Sequence, residues 1–188
     1  MGGGSGGVRF SRMAEHNSHS VSTRSRHVPV LLSETIELLN PQPGETVIDC
    51  TAGLGGHAAA MAERVGPTGM VILLDLDAAN LQAASERLRS MPNAPRVLTH
   101  HGSFAEVARL LSSGTAFGTG SPSSHPTSDI AHPTSAKVVL ADLGFASSQV
   151  DDPARGFSFM RDGPLDMRLN PQAAISAAEL VKIGRAHV

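Results

Sequence analysis

Carboxylates follow short apolar runs at three points of this chain, and each run has the length and β-branched content of a buried strand. They belong to Asp49, Asp75 and Asp142. In a parallel sheet the carboxyl ends of neighbouring strands meet at one edge, so we expect these side chains to point into one crevice. Carboxylates grouped in a poorly hydrated cleft repel an anion and attract a cation. The pattern therefore favours binding of a positively charged ligand.

A glycine-rich turn follows the first of these strands, with Gly53, Gly55 and Gly56. Glycine lets the backbone turn tightly and leaves no Cβ where a ligand approaches. The pattern Gly53-x-Gly55-x-x-Ala58 nearly fits a dinucleotide fingerprint, and Asp75 follows about 20 residues later, where an acid for ribose hydroxyls belongs. A pyrophosphate would be repelled by the aspartates, whereas S-adenosylmethionine carries a sulfonium and an ammonium. We favour S-adenosylmethionine and keep NAD, with an oxidoreductase function, as the alternative.

Runs typical of strands alternate along the chain with runs typical of helices. The strand runs are 47–50, 70–74, 96–99 and 137–142. We predict that Asp77 caps the helix after the second strand and that Ser33 caps a helix before the first. Ser103 and Glu106 have the spacing of a capping box for the helix after the third strand. This alternation predicts a parallel sheet covered by helices on both faces.

The composition limits the class of protein. The chain has 188 residues, 40% of them hydrophobic, and a formal net charge of −2, which suits one α/β domain and gives no whole-chain signal for nucleic acid. No run approaches the roughly 20 apolar residues of a membrane span. We expect Cys50 to be a small core residue, and His125 and His132 lack the spacing of a metal site. A soluble protein without a metal is expected.

Two segments are expected to lack a fold of their own. Residues 1–26 are rich in Gly, Ser, Arg and His and show almost no apolar periodicity, which predicts a disordered tail; an organellar transit peptide is the alternative. Residues 112–136 are mostly Ser, Thr, Gly, Pro and His, which predicts a disordered insertion inside the domain.

The stretch from Asp142 onward is more specific than the rest. It reads Asp-Leu-Gly-Phe-Ala-Ser-Ser-Gln-Val-Asp-Asp over 142–152 and Arg-Gly-Phe-Ser-Phe-Met-Arg-Asp-Gly-Pro-Leu-Asp-Met-Arg over 155–168. Together with His-Val-Pro-Val-Leu-Leu at 27–32 and the glycine turn, it resembles the MraW family of small-subunit ribosomal RNA cytosine-N4 methyltransferases. The resemblance implies methyl transfer from S-adenosylmethionine to a cytosine of 16S ribosomal RNA. It also implies a cytoplasmic location, with a mitochondrion or plastid as the alternative.

The resemblance further implies an architecture. This is an α/β fold, the Rossmann-like doubly wound parallel sheet of a class I methyltransferase, here without its last strands and most of a helical cap domain. Residues 27–168 would form the methyltransferase domain, with strand order 3-2-1-4, and residues 169–182 the start of the cap, whose first helix opens at Ser176. Residues 183–188 do not resemble the family, and we interpret them as translated adapter sequence on a truncated gene, which re-sequencing would test.

The resemblance assigns the methionine and ribose ends of the cofactor to the first two strand ends. Gly55, Gly56 and His57 would line the methionine end, and Asp75 would bind the ribose hydroxyls. A carboxylate at a strand end can accept two hydroxyl protons in a charge-assisted contact. From the residues alone, a solvated position at the start of a helix explains His57 better than a ligand contact does.

The rest of the implied cofactor pocket comes from later in the chain. Phe104 would pack near the adenine, where an aromatic face suits stacking, and Asp142 and Gln149 would complete the pocket. Without the resemblance, a core position explains Phe104 equally well and the cap of a turn is an alternative for Asp142, whereas Gln149 would be expected at the surface. The family usually has Ser at the position of Ala146 and often Pro at that of Ser148.

The sequence leaves the catalytic group unassigned and the role of three arginines open. Asp142 is the nearest acceptor for the proton of a cytosine amine, but the resemblance also places it on the cofactor. Arg155, Arg161 and Arg168 are either phosphate contacts for RNA or ion-pair partners inside a folded loop. The carboxylates for the second alternative are Asp151, Asp152, Asp162 and Asp166. A non-catalytic protein that binds the cofactor or RNA is a further alternative function.

Overall fold

The protein is described by a computed structural model that covers residues 29–113 and 133–185. The predicted disordered tail, 1–26, lies outside the described residues, and so does most of the predicted insertion, 112–136. The ends of that insertion are described: the fourth helix continues to Ser113, and Pro133 is buried.

Four parallel strands form one sheet. They are β1 (Thr46–Asp49), β2 (Met70–Asp75), β3 (Arg96–His101) and β4 (Val138–Leu140). Their order is β3-β2-β1-β4, which confirms the predicted order and is that of the first four strands of a Rossmann-like sheet. Ile48 pairs with Ile72 on one side and Val139 on the other, so β1 lies in the interior of the sheet.

Helices cover both faces of the sheet, as predicted. They are α1 (Leu32–Leu39), α2 (Gly56–Val65), α3 (Ala78–Arg89), α4 (Val107–Ser113), α5 (Ser147–Asp151) and α6 (Ala177–Arg185). The first three pack on one face and α4 packs on the other. None of the described helices has both the length and the apolar character that a bilayer crossing requires.

The core has two layers because successive strand residues point to opposite faces of the sheet. Val47, Val71 and Val97 face the layer of α1, α2 and α3, whereas Ile48 and Ile72 face the layer of α4. Cys50 is buried in this second layer with a free thiol, as predicted. Strands β1, β2 and β3 contribute apolar side chains to both layers, and β4 contributes Val138 to the first. This packing fixes the strand ends, and therefore the turns beyond them, at one edge.

The helix starts agree only partly with the predicted caps. Asp77 caps α3 as predicted, with its side chain accepting from the main-chain N–H of Ala79. Ser33 is not a cap: the N-cap of α1 is Leu31, two residues earlier, whose backbone is left-handed at φ 56°. Ser103 accepts from Ala105, but Glu106 does not complete the predicted capping box.

The carboxylate of Glu106 is instead used by two other side chains. His100 Nε2 lies 2.8 Å from it, and Arg109 lies 2.9 Å from it. At the far end of the chain the predicted capping signal is confirmed, because Ser176 and Glu179 bond each other's main-chain N–H groups at the start of α6.

Packing accounts for two of the glycines in the turn after β1. Gly55 has φ 75°, a left-handed conformation that glycine adopts without strain, and a Cβ there would lie 3.1 Å from Ala84 of α3. A Cβ on Gly56 would overlap Cγ of Pro29 and lie 2.9 Å from its Cδ. Both residues therefore let neighbouring backbone approach, and the segment at Pro29 rests directly on the start of α2.

We predict that Gly56→Ala lowers the free energy of unfolding by about 1–3 kcal/mol, the usual cost of overpacking a tight contact. The cause is the clash with the Pro29 ring, so the same substitution made in a Pro29→Ala background should cost clearly less. Urea unfolding of the four proteins of this double-mutant cycle measures both values. Equal costs in the two backgrounds would contradict the proposed clash.

Candidate active site

A crevice of about 670 Å³ lies at the carboxyl ends of the four strands. Its walls come from the turns that follow each strand, as expected at the switch point of an α/β sheet. The structure brings six of the predicted cofactor residues together in its lining: Gly56, His57, Asp75, Phe104, Asp142 and Gln149. Gly55, the seventh, does not line the crevice and packs against α3 instead.

Asp75 is held at the centre of this edge by two main-chain donors. Its Oδ2 accepts from the N–H of Gly53 at 2.8 Å, and its Oδ1 accepts from the N–H of Asp77 at 2.8 Å. Burial raises the pKa of Asp75, although these hydrogen bonds oppose the rise. A carboxylate has about four acceptor positions, so these main-chain donors do not use its full acceptor capacity. The carboxylate is thus oriented in advance for a ligand donor.

Asp49 does not point its charge into the crevice, and the prediction that it would do so is wrong. It is 1% exposed, is absent from the crevice lining, and accepts a hydrogen bond from the N–H of Thr51 at 3.1 Å. Burial raises its pKa to about 7, and the nearby charges of Asp75 and Asp142 add to that rise. The buried β1 strand ends before the chain reaches the surface, which explains why its terminal carboxyl lies beneath the crevice.

His57 and Asp142 face each other across one wall of the crevice. Their Nδ1 and Oδ2 atoms are 3.9 Å apart, and the Asp142 side chain is 66% exposed. The main-chain N–H of Asp142 donates to Thr51 Oγ1 at 2.8 Å, which ties the end of β4 to the glycine turn. His57 is buried, and its Nε2 has no hydrogen-bond partner among the described residues. A buried polar atom without a partner suits a site that is completed by a ligand.

Phe104 is a crevice residue and not a core residue. It lies in a short 3₁₀ turn after β3 and is 47% exposed. The N–H of the preceding Gly102 donates to the carbonyl of Asp75 at 3.1 Å, so this turn is attached to the end of β2. An aromatic ring and a fixed carboxylate therefore lie on the same side of the crevice.

Gln149 is a buried residue of α5, a helix that the sequence did not predict. Its Oε1 accepts from the N–H of Ala146 at 2.9 Å, and its Nε2 donates to Asp77 at 3.2 Å. The reading of Gln149 as a surface residue is therefore wrong. Ala146 occupies the N-cap position, where it has no side-chain acceptor, and a serine there would supply one.

Sequence reasoning missed the ion pair between Asp77 and Arg155. Arg155 Nη1 lies 2.8 Å from Asp77 Oδ2, and the side chains are 21% and 6% exposed. Burial alone would raise the pKa of Asp77, but the hydrogen bonds from Arg155 and Gln149 outweigh it and lower the pKa. The partners are separated by 78 positions. From the sequence, Asp77 could be recognised only as a helix cap and Arg155 only as part of the 155–168 stretch, and neither role indicates that the two residues pair.

The family comparison separates the two cofactor hypotheses. The family model described as the MraW methylase family matches residues 24–187. The chain belongs to this family. The match covers the glycine turn, the strand ends and the Arg155–Arg168 block, and so it includes every residue assigned to the crevice above. It disfavours the dinucleotide-dependent oxidoreductase as an alternative.

Relatives of this MraW family member are named for ribosomal RNA. A ribosomal RNA small subunit methyltransferase H of Acidobacterium capsulatum is 38% identical over 163 residues, which is 84% of this chain and 48% of the relative. The protein of the same name from Trichlorobacter lovleyi is 41% identical over 159 residues, 83% of this chain and 44% of the relative. The chain thus spans less than half the length of these relatives. A SAM-dependent O-methyltransferase of Thermotoga maritima aligns at 23% identity with a TM-score of 0.39, over 44% of this chain and 32% of that chain.

The arginines of the family block are engaged within the chain. Arg168 forms an ion pair with Asp166 at 2.7 Å, which is the second of the two alternatives for this residue. Arg161 Nη1 donates to the main-chain oxygen of Asp151 at 2.6 Å. No group of three or more His, Cys, Asp or Glu side chains suited to a metal ion occurs in residues 29–113 and 133–185.

We predict that Asp49→Asn stabilises this MraW family member more at pH 8 than at pH 5, by about 2–3 kcal/mol. The folded carboxyl has its pKa raised to about 7 by burial, whereas the unfolded one ionises near 3.9. Between these values the folded protein holds a proton that the unfolded chain has lost, so the wild type loses stability as the pH rises. Asparagine keeps the acceptor for Thr51 without this loss.

Urea unfolding of wild type and variant at both pH values measures the difference. Asp162→Asn, a substitution of an exposed aspartate, is the matched control. The same gain for Asp49→Asn at pH 5 and pH 8 would show that Asp49 is not protonated inside the fold.

Proposed function

We propose that this chain is the S-adenosylmethionine-binding part of a methyltransferase that methylates the N4 amine of a cytosine in small-subunit (16S) ribosomal RNA. The observation that carries the proposal is the Asp75 carboxylate, fixed by two main-chain N–H groups at the edge of a crevice that also contains the family's other strand-end residues. The membership of the MraW methylase family supports it. Because the chain spans less than half of its relatives, the activity is proposed for the whole protein.

The residues present fit this cofactor. Asp75 would accept the two ribose hydroxyls, and Phe104 would stack on the adenine. The methionine end would lie along Gly56, near the unpaired Nε2 of His57, and Gly55 would support this turn from behind by its packing on α3. A Cβ at Gly53 would meet only the Thr51 carbonyl oxygen, at 3.9 Å, which is an ordinary contact, so packing within the protein does not fill this side of the turn.

Asp142 and Gln149 complete the proposed site in different ways. Asp142 presents an exposed carboxylate, which attracts a cationic ligand and can accept a hydrogen bond from an amine N–H. Gln149 uses both its oxygen and its nitrogen inside the protein, so it shapes the wall of the crevice. Asp49 lies buried beneath this wall, and its carboxylate adds a further negative charge when it is ionised.

The chemistry needs positioning more than acid or base strength. When bound, S-adenosylmethionine supplies a methyl group on a positively charged sulfur. A cytosine amine is a poor nucleophile, so the protein must hold the nitrogen in line with that methyl group. Asp142 lies at the open side of the crevice, where an acceptor can orient the N–H groups of such an amine. The carboxylate would act by orientation and charge, and His57 opposite it would limit its movement.

Small-subunit ribosomal RNA is the proposed substrate because the relatives carry it in their names. We propose that the protein acts where ribosomes are assembled, in the cytoplasm, with a mitochondrion or plastid as the alternative site. The cytosine-N4 position comes from the family resemblance of the 142–168 stretch. The alternative of a non-catalytic binding protein is distinguished by one measurement: such a protein would bind the cofactor without methylating ribosomal RNA.

We predict that isothermal titration calorimetry will detect binding of S-adenosylmethionine to the purified chain and no comparable binding of NAD. Asp75→Asn should weaken the S-adenosylmethionine affinity about tenfold or more, because an amide offers one acceptor oxygen where the carboxylate offers two. Asp162→Asn, at an exposed position, is the control and should bind as the wild type does.

The absence of both binding heat and a thermal shift with S-adenosylmethionine would contradict the proposed cofactor. Tighter binding of NAD than of S-adenosylmethionine would favour the alternative of a dinucleotide-dependent oxidoreductase. An Asp75→Asn protein that folds and binds with unchanged affinity would remove Asp75 from the proposed ribose contact.

A further inference from the structure

Arg155 connects two parts of the chain that are distant in sequence. Its Nη1 donates to Asp77 Oδ2 at 2.8 Å, in the turn that follows β2. Its Nη2 donates to the carbonyls of Arg168 at 3.2 Å and Leu169 at 2.9 Å. One guanidinium therefore fastens the end of the 155–169 segment to the edge of the sheet. Leu169 itself lines the crevice.

Asp77 is in turn next to the proposed ribose carboxylate. Its main-chain N–H donates to Asp75 Oδ1 at 2.8 Å, and its own Oδ1 accepts from Ala79 at the start of α3. Its Oδ2 accepts from Arg155 and from Gln149. The position of the Asp77 backbone thus sets the direction of the Asp75 carboxylate. The Asp77 side chain is in turn held by Gln149 and Arg155.

We propose that Arg155 is a positioning residue for the cofactor: through Asp77 it orients the Asp75 carboxylate, and it couples cofactor binding to the ordering of residues 155–169. The inference rests on the proposed function, because the ligand whose affinity it controls is the proposed S-adenosylmethionine. It goes beyond that function by giving Arg155 a part in cofactor affinity without any contact with the cofactor.

The burial of the pair makes the coupling strong. Asp77 is nearly fully buried and Arg155 is four-fifths buried, so removal of the guanidinium leaves a carboxylate that is poorly hydrated and has lost its main partner. Such a carboxylate moves toward water or takes up a proton, and either change shifts the N–H that Asp75 uses. Because coupling is reciprocal, a cofactor that holds Asp75 in place also stabilises the attachment of 155–169.

A simpler alternative is that Arg155 only contributes to folding stability. In that case its removal lowers the unfolding midpoint, but the folded fraction binds the cofactor as before. The two roles therefore separate in the dissociation constant for S-adenosylmethionine, and in the hydrogen exchange of residues 155–169 with and without the cofactor. A purely stabilising contact leaves the dissociation constant unchanged, and it leaves the effect of the cofactor on the exchange of residues 155–169 no larger than its effect on the rest of the chain.

The test compares Arg155→Met, Arg155→Lys and Asp77→Asn with the wild-type chain by calorimetry with S-adenosylmethionine. Methionine removes the charge and both donors, and it should weaken binding about tenfold, within the usual range of coupling between sites. Lysine restores the charge at Asp77 but cannot also reach both carbonyls, so part of the affinity should return. Asp77→Asn keeps a capping side chain and loses the charge, and should resemble Arg155→Met.

Arg64→Met is the matched control, because Arg64 is exposed at the end of α2 and lies outside the crevice lining. It should leave the affinity unchanged. In a double-mutant cycle, Asp77→Asn combined with Arg155→Met should bind no more weakly than either single variant, since both substitutions remove the same contact.

Hydrogen exchange on the wild-type chain provides a second measurement that does not depend on how the variants fold. Addition of S-adenosylmethionine should slow exchange in residues 155–169, and this protection should be lost in Arg155→Met. The absence of protection in a wild type that binds the cofactor overturns the coupling.

The outcomes distinguish this inference from the proposed function. A wild type that does not bind S-adenosylmethionine overturns the proposed function and the inference with it. A wild type that binds, together with a folded Arg155→Met that binds equally well, overturns the positioning role alone. If Arg155→Met shows no cooperative unfolding, the variant does not fold and its affinity is uninformative. The exchange measurement on the wild type and the affinity of Asp77→Asn then decide between a positioning and a purely stabilising role.

Discussion

The structure depends on how the Asp75 carboxylate is held. Two main-chain N–H groups, from Gly53 and Asp77, donate to its two oxygens, and they come from the turns that follow β1 and β2. The carboxylate therefore joins adjacent strand ends across the edge of the sheet. Since Asp75 is itself the last residue of β2, its direction is set by the register of the sheet below it. A site built on this contact is oriented before any ligand arrives, which lowers the cost of binding.

The donors around each aspartate decide how far negative charge is tolerated at this edge of the sheet. Burial penalises a carboxylate, and it raises the pKa of both Asp49 and Asp75. Asp77 escapes that effect because Arg155 and Gln149 donate to it, and its pKa is lowered instead. Neighbouring aspartates of one edge thus differ in protonation behaviour according to their donors. The ion pair of Asp77 compensates its own charge only, so the crevice keeps the negative character that suits a cationic ligand.

Glycine serves packing as well as access to a ligand in this turn. Gly56 is required by the ring of Pro29 and Gly55 by α3, and both neighbours are parts of the same domain. At Gly53 a Cβ would make only an ordinary contact, 3.9 Å from the Thr51 carbonyl oxygen, so packing does not exclude a side chain there. A glycine motif that is typical of a ligand-binding turn can therefore also result from close packing between secondary-structure elements. Only the tertiary structure distinguishes these two causes. Here both occur within four residues of chain.

The sequence by itself determined the sheet, its order and most of the crevice. Alternation of apolar runs with helical periodicity depends on local properties, and so the four strands, the cap at Asp77 and the box at Ser176 could be predicted. The same runs located the carboxylates of Asp75 and Asp142 at strand ends, and the family resemblance added Phe104 and Gln149. What the tertiary structure alone decided are contacts between distant parts: the depth of Asp49, the burial of Gln149 and its bond to Asp77, and the ion pair of Asp77 with Arg155. Patterns of a few residues carry no information about partners 78 positions away, because burial and pairing are set by the packing of the whole chain.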